Sequence, residues 1–243
     1  MDPAYSVFPV LVGFLAQLVD GAVGMGYGVV SSSIYLSLGL TPAIASATVH
    51  TSEVFSTLSS GIAHLKAGNV DRDFVKKLVC TGIVGAVVGA VTISILNIPS
   101  IVKVVRGYLF IVGAIILLRA FGLNIVLKRI NIPFLGLVGG FLDAVGGGGW
   151  GPVVTSTLIM NGREPRISVG SANTSEFFVT FAQFIVFMVL VGPVFVVTAL
   201  LQALGSVVAS PIAAYICKRI DRKALTSVVG LAMVVLNLVK ILC

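Results

Sequence analysis

Shifted by 123 residues, the chain falls onto itself without a gap at its most glycine-rich stretch, Gly13 to Gly28 over Gly136 to Gly151. The first copy reads Asp20-Gly-Ala-Val-Gly24-Met-Gly26-Tyr27-Gly28 and the second Asp143-Ala-Val-Gly-Gly147-Gly-Gly149-Trp150-Gly151. The same offset pairs Pro42 with Pro165, Thr51-Ser52-Glu53 with Thr174-Ser175-Glu176, Gly82 with Gly205 and Gly107 with Gly230. A duplicated unit, broken by glycine at the same place in each copy, points to a substrate site at the interface of two membrane repeats.

Composition leaves little alternative to a membrane. Hydrophobic residues make up 57% of the chain, charged residues 10%, and the mean hydropathy is +1.10. A soluble domain carries about 25% charged residues, so this one lacks the polar groups to cover its own surface. Apolar runs of roughly 18–20 residues, enough to cross a ~30 Å hydrocarbon layer, recur throughout. The net charge of +7 does not suggest nucleic acid, because the bases lie between apolar segments, where topology accounts for them. The opening Met1-Asp-Pro-Ala-Tyr-Ser lacks the basic flank of a cleavable signal. Cys80, Cys217 and Cys243 show neither metal-ligand spacing nor a disulfide framework; they read as small apolar filler, or as a redox or substrate thiol. No cofactor and no metal is expected.

Each half contains one interrupted apolar segment and three plain spans. In the first half these are 7–39, broken at 20–28, then 43–65, 77–97 and 101–120. In the second they are 133–161, broken at 143–151, then 167–190, 193–217 and 224–242. If both interrupted segments cross, the sixteen bases divide evenly between the two faces. If both are re-entrant hairpins, Lys66, Arg72, Lys76, Lys77, Arg119, Lys128, Arg129, Arg163, Arg166, Lys218, Arg219, Arg222 and Lys223 share one face. Only Lys103, Arg106 and Lys240 remain on the other. The positive-inside rule selects the hairpins. One hairpin and three spans make an odd number of crossings, so the second repeat must be upside down. The loops agree: the basic loop at 66–77 matches an uncharged 189–200, and Gly39-Leu-Thr-Pro-Ala43 matches Gly162-Arg-Glu-Pro-Arg166. The expected fold is an all-α polytopic membrane protein, a single domain over 1–243. Its two inverted-topology repeats, 7–120 and 130–243, each hold a broken re-entrant helical hairpin and three transmembrane helices. Both termini are expected outside the cytoplasm.

Glycine runs do not continue a helix cheaply, and unwound backbone survives at membrane depth only against protein or a watery cavity. A new half-helix starting after each break presents free N–H groups with about half a positive charge, so two such ends suit an anion or a carbonyl oxygen. Ser31, Ser32 and Ser33, and Thr155, Ser156 and Thr157, are candidate hydroxyl donors; close packing through small residues is the other reading. Four acids lie within apolar segments: Asp20, Glu53, Asp143 and Glu176. Intramembrane acids are costly and mark function. The aspartates either cap the broken helices or face substrate. Glu53 and Glu176, within His50-Thr51-Ser52-Glu53 and Asn173-Thr174-Ser175-Glu176, either bond structurally or handle substrate and protons. His50 suits proton transfer or packs as a satisfied core group. Tyr27 and Trp150 either wall the cavity or fill space beside glycine.

The paired glycine breaks and the His/Asn-Thr-Ser-Glu motifs resemble the TauE/SafE family of sulfite and organosulfonate exporters, within the toluenesulfonate uptake permease superfamily. The resemblance covers nearly the whole chain and marks the superfamily better than the transported molecule. It implies secondary transport of small sulfur-containing anions such as sulfite, sulfonates or sulfoacetate across the cytoplasmic (inner) membrane, as an exporter, with proton coupling. The substrate-binding set it implies is Asp20, Gly24, Gly26, Gly28, His50, Thr51, Ser52, Glu53 and their counterparts Asp143, Gly147, Gly149, Gly151, Asn173, Thr174, Ser175 and Glu176. His50 faces Asn173 across the repeats, so histidine chemistry cannot be required twice.

Four ionised carboxylates would repel an anion, and no Lys or Arg lies deep enough to compensate. Either the glutamates are protonated when substrate binds, or they face away and fix the helix breaks. A Na⁺ or divalent-cation carrier using these carboxylates is the rival; an anion channel is another. A membrane enzyme is disfavoured by the lack of a metal cluster or nucleophile–base motif. Partners expected besides the anion are the lipid bilayer and further copies in an oligomer.

Overall fold

In a computed structural model, the structure describes residues 3–23, 25–66, 68–96, 99–123, 130–155, 157–158, 161, 163 and 165–216, with 223, 227, 230, 231, 234, 235 and 238. Among them there is helix and no strand. In chain order the helices are α1 (Pro3–Val23), α2 (Tyr27–Ser37), α3 (Pro42–Lys66), α4 (Arg72–Ile95), α5 (Pro99–Ala120) and α6 (Ile132–Gly146). A π-helical turn (Gly151–Thr155) follows, then α7 (Pro165–Leu190), a 3-10 turn (Pro193–Phe195) and α8 (Val196–Ile216). Most of the expected span at 224–242 and residues Gly24 and Ser156 lie outside the described residues, as do Lys128, Arg129, Lys218, Arg219, Arg222 and Lys240.

Local sequence explains where these helices begin. Proline opens α3, α5 and α7, where a missing N–H costs nothing. Asp71 caps α4 by accepting from the Asp73 and Phe74 amides at 3.1 Å, and Asn131 caps α6 by accepting from the Phe134 amide at 3.0 Å. At the end of α6, Gly147 turns left-handed at φ 67° and Gly148 follows at φ 134°. Side chains rarely adopt these values, so the glycine run stops the helix there.

The surface is apolar and the interior unusually polar. Val84, Val88, Phe178, Phe181, Ile185, Val189, Leu204 and Val208 are exposed along α4, α7 and α8. Ser31, Ser32, Ser46, His50, Ser52, Asp143, Ser175, Gln183 and Gln202 are buried. Water would penalise this distribution, whereas hydrocarbon stabilises it. Arg72–Ile95 and Ile167–Leu190 are each long and apolar enough to cross a membrane.

Three helix pairs dominate the packing: α1 with α8, α4 with α6, and α3 with α7. Small residues let the first two close tightly. A methyl group at Gly13 would overlap the Gln202 carbonyl across α1 and α8, and one at Gly85 would overlap the Leu137 carbonyl across α4 and α6. At one end of the bundle the Arg163 guanidinium lies 3.9 Å from the centre of the Phe74 ring, and the Asp71 amide donates to Ser171 Oγ at 2.9 Å. The 66–74 loop and the start of α7 therefore share that end.

Candidate functional site

Both helical breaks lead to the same place. Among the described residues the first lies at 25–26 rather than beginning at residue 20, because intrahelical bonding carries α1 through Asp20 to Val23. Each aspartate thus sits in the last turn or so of the incoming helix, with its side chain beside the outgoing one. Asp143 Oδ1 accepts from the Gly149 and Trp150 amides at 2.7 and 2.8 Å, and its Oδ2 accepts from Gln183 Nε2 at 3.0 Å. Asp20 Oδ1 accepts from the Tyr27 amide at a long 3.4 Å. Equivalent residues do the same work unequally, the second break being firmly capped.

The two breaks touch. A methyl group at Gly28 would fall 2.5 Å from the Gly148 Cα and 3.1 Å from Glu53 Oε1. Beside this contact is a cavity of about 20 Å³ lined by Asp20, Gly26, Tyr27, Gly28, Val29, Glu53, Gly149, Gly151, Pro152, Asn173 and Glu176. That volume holds a water or two. Eight of the expected site residues therefore converge on one polar pocket, drawn from both halves of the chain.

The other expected residues support the walls. His50 Nδ1 lies 3.0 Å from Glu53 Oε2, and His50 Nε2 lies 3.0 Å from the Asp143 carbonyl oxygen. Ser52 Oγ meets the Tyr27 hydroxyl at 2.5 Å. Thr174 and Ser175 bond back to the Gly170 and Ser171 carbonyls one turn earlier in α7, as buried hydroxyls in helices often do. Thr51 lies on the wall of a separate apolar recess of about 300 Å³ with Val54, Phe55, Phe181, Phe184, Val196 and Leu200. Gly147 accepts a hydrogen bond from Ser32 Oγ, and Gly24 is outside the described residues.

Ser32, Ser46 and His50 together satisfy the carbonyls of Gly147, Ala144 and Asp143 at the end of α6. A helix end leaves carbonyls short of intrahelical partners, and although the Asp143 carbonyl also accepts from the Gly148 amide at 2.9 Å, these side chains clamp the second break to the first half of the chain. Ser31 is likewise occupied, accepting from Gln202 Nε2 at 2.9 Å. Ser31 and Ser32, expected as anion donors, are thus engaged in packing. Trp150 is fully buried, its indole N–H donating to the Ala172 carbonyl at 3.1 Å, so it fills space rather than walling the cavity; Tyr27 lines it.

Gln183, Gln202 and Pro152 escaped sequence reasoning. The two glutamines carry a usable signal, an uncharged polar residue in the middle of an apolar span, but no repeat partner: the 123 offset places Ser60 and Val79 opposite them. Pro152 contributes no N–H to the second half-helix. With the Gly149 and Trp150 amides held by Asp143, little donor capacity remains on that side. The start of α2 is the less committed of the two.

The family model described as Sulfite exporter TauE/SafE matches residues 10–239. The chain is 38% identical over 237 residues to a protein of Bacillus subtilis (strain 168) described as "Probable membrane transporter protein YtnM", covering 93% of this chain and 79% of that one. No solved structure matches.

Proposed function

The chain belongs to the TauE/SafE sulfite exporter family of membrane transporters, and from that premise we propose that it is a secondary carrier exporting small sulfur-containing anions, sulfite or organosulfonates, across the cytoplasmic membrane. The observation that carries this reading is the meeting of two glycine-broken helices, from opposite halves of the chain, over one polar cavity. Half-helix amides suit an oxyanion, and the loosely held start of α2 is the better donor.

The whole chain forms one domain of two inverted repeats, each a re-entrant hairpin and three spans. Helix pairing supports this: the 123 offset turns α1, α3 and α4 into α6, α7 and α8, and exchanges the α1–α8 pair for the α6–α4 pair while α3 and α7 swap places. The charge exchanged between equivalent loops supports the inversion. The Arg163–Phe74 contact favours hairpins over full crossings, because full crossings would put residues 66 and 163 on opposite faces. Both termini then lie outside the cytoplasm.

The cavity is too small for sulfite, so it represents a closed site. Transport parts the Gly28–Gly148 contact toward one side at a time, as alternating access requires. Protonation of cavity carboxyls offsets their repulsion of the anion and couples its movement to protons. The lining by Asp20, Glu53 and Glu176 favours one rival, a Na⁺ or divalent-cation carrier. Proteoliposomes separate the two. Sulfite flux should be saturable, competed by organosulfonates and unaffected by replacing Na⁺. Movement of Na⁺ with none of the sulfur anions would overturn the proposal.

A further inference from the structure

The two cavity glutamates are equivalent in sequence but not in surroundings. Glu53 Oε2 is held 3.0 Å from His50 Nδ1. The other ring nitrogen faces the Asp143 carbonyl oxygen at 3.0 Å. A carbonyl only accepts, so His50 Nε2 carries a hydrogen. The Nδ1–Oε2 contact then holds one proton, on the ring or on the carboxyl, and the pair is net neutral either way. His50 is fully buried and stacked against Phe187 at 6.3 Å between ring centres. Asp143 meets the ring at both nitrogens, through its carbonyl at Nε2 and through carboxylate Oδ2 3.7 Å from Nδ1, and that carboxylate is itself held by two amides and Gln183.

Position 173, opposite His50, is asparagine, and its side-chain amide donates to Ser60 Oγ at 3.0 Å rather than serving Glu176. No hydrogen bond or ion pair to the Glu176 carboxylate occurs among the described residues. Yet Glu176 lines the same cavity as Glu53. Asp20 on α1, Tyr27 on α2 and Glu53 on α3 line the cavity with it, and Asp143 on α6 lies close enough to act on it through its charge. The charged residues of α4, Arg72, Asp73, Lys76 and Lys77, cluster at its start, and α8 has none.

Resting on the carrier reading above, we infer that the glutamates have divided roles: Glu176 exchanges the coupling proton with cavity water, while the His50–Glu53 pair is a fixed neutral wall that positions the second break. Glu176 takes its proton from water on the side to which the cavity opens and returns it to water on the other.

Infrared titration of the protonated-carboxyl band tests this without any substrate, and the pH profile of uptake of an organosulfonate, whose own charge does not change in this range, tests it in function. The expected result is a titrating band lost in Glu176→Gln and kept in Glu53→Gln. Residual uptake in Glu176→Gln should vary less than about twofold between pH ~5.5 and ~8, while that of Glu53→Gln, though slower, should keep the wild-type profile. If Glu176→Gln does not fold, Asn173→His gives the same information. It supplies Glu176 with the partner Glu53 has, and should flatten the profile and shift the band. Loss of the band in Glu53→Gln or Asp20→Asn instead, or an unchanged profile in both Glu176→Gln and Asn173→His, would overturn the division. Absence of sulfite and organosulfonate uptake in the wild type would sink the anion reading, leaving the infrared result to decide the roles of the carboxyls.

Discussion

Asp20 and Asp143 occupy one position of a repeat and do unequal work. Asp143 holds two amides and a glutamine with short bonds, and Asp20 one amide with a long one. Removing a cap costs about 0.5–2 kcal/mol, and leaving buried donors unmade adds about 1–3. Asp143→Ala should therefore lower stability in detergent by roughly 2–4 kcal/mol, and Asp20→Ala by under about 1 kcal/mol. Thermal unfolding of the two variants checks this; equal losses would contradict the asymmetry. At this scale the sequence was partly legible. Acids in mid-span pointed to Asp20, Glu53 and Glu176, because charge in hydrocarbon is too costly to be incidental. It could not separate Glu53 from Glu176, since their difference lies in which partner each side chain meets across helices. Nor could it show that Ser31 and Ser32 are engaged by Gln202 and Gly147.

Helix boundaries were the most legible feature, because apolar run length, proline and glycine fix them locally. The expected 43–65, 77–97, 101–120 and 167–190 appear as Pro42–Lys66, Arg72–Ile95, Pro99–Ala120 and Pro165–Leu190. The expected break at 20–28 is wider than the observed one, since composition shows where glycine weakens a helix but not where hydrogen bonding gives way. Close pairing of α1 with α8 and α4 with α6 leaves no room for a side chain at Gly13 or Gly136. Valine at either site should cost about 2–3 kcal/mol through overpacking. Gly107→Ala in α5 meets nothing within 4 Å and should stabilise by about 0.5–1 kcal/mol through helix propensity. Melting curves of the three variants test the pairing; a neutral Gly13→Val and Gly136→Val would contradict it.

At the scale of the whole molecule, the number of times the chain crosses the bilayer decides whether the two breaks can meet. The Arg163–Phe74 and Lys223–Phe121 contacts join loops that the hairpin topology puts on one face and that full crossings would separate. In the sequence, loop charge is the signal for the hairpin topology, one that membrane insertion itself reads. The partner swap between repeats was not legible, because pairing between distant helices leaves no periodicity along the chain. Single cysteines introduced at Lys66, Arg163 and Lys103, in a chain lacking Cys80, Cys217 and Cys243, give the most direct test. Labelled in intact cells with a reagent that cannot cross the membrane, position 103 should react, while 66 and 163 react only after the membrane is opened. Labelling of 66 and 163 from opposite sides would contradict the paired hairpins and the shared site they build.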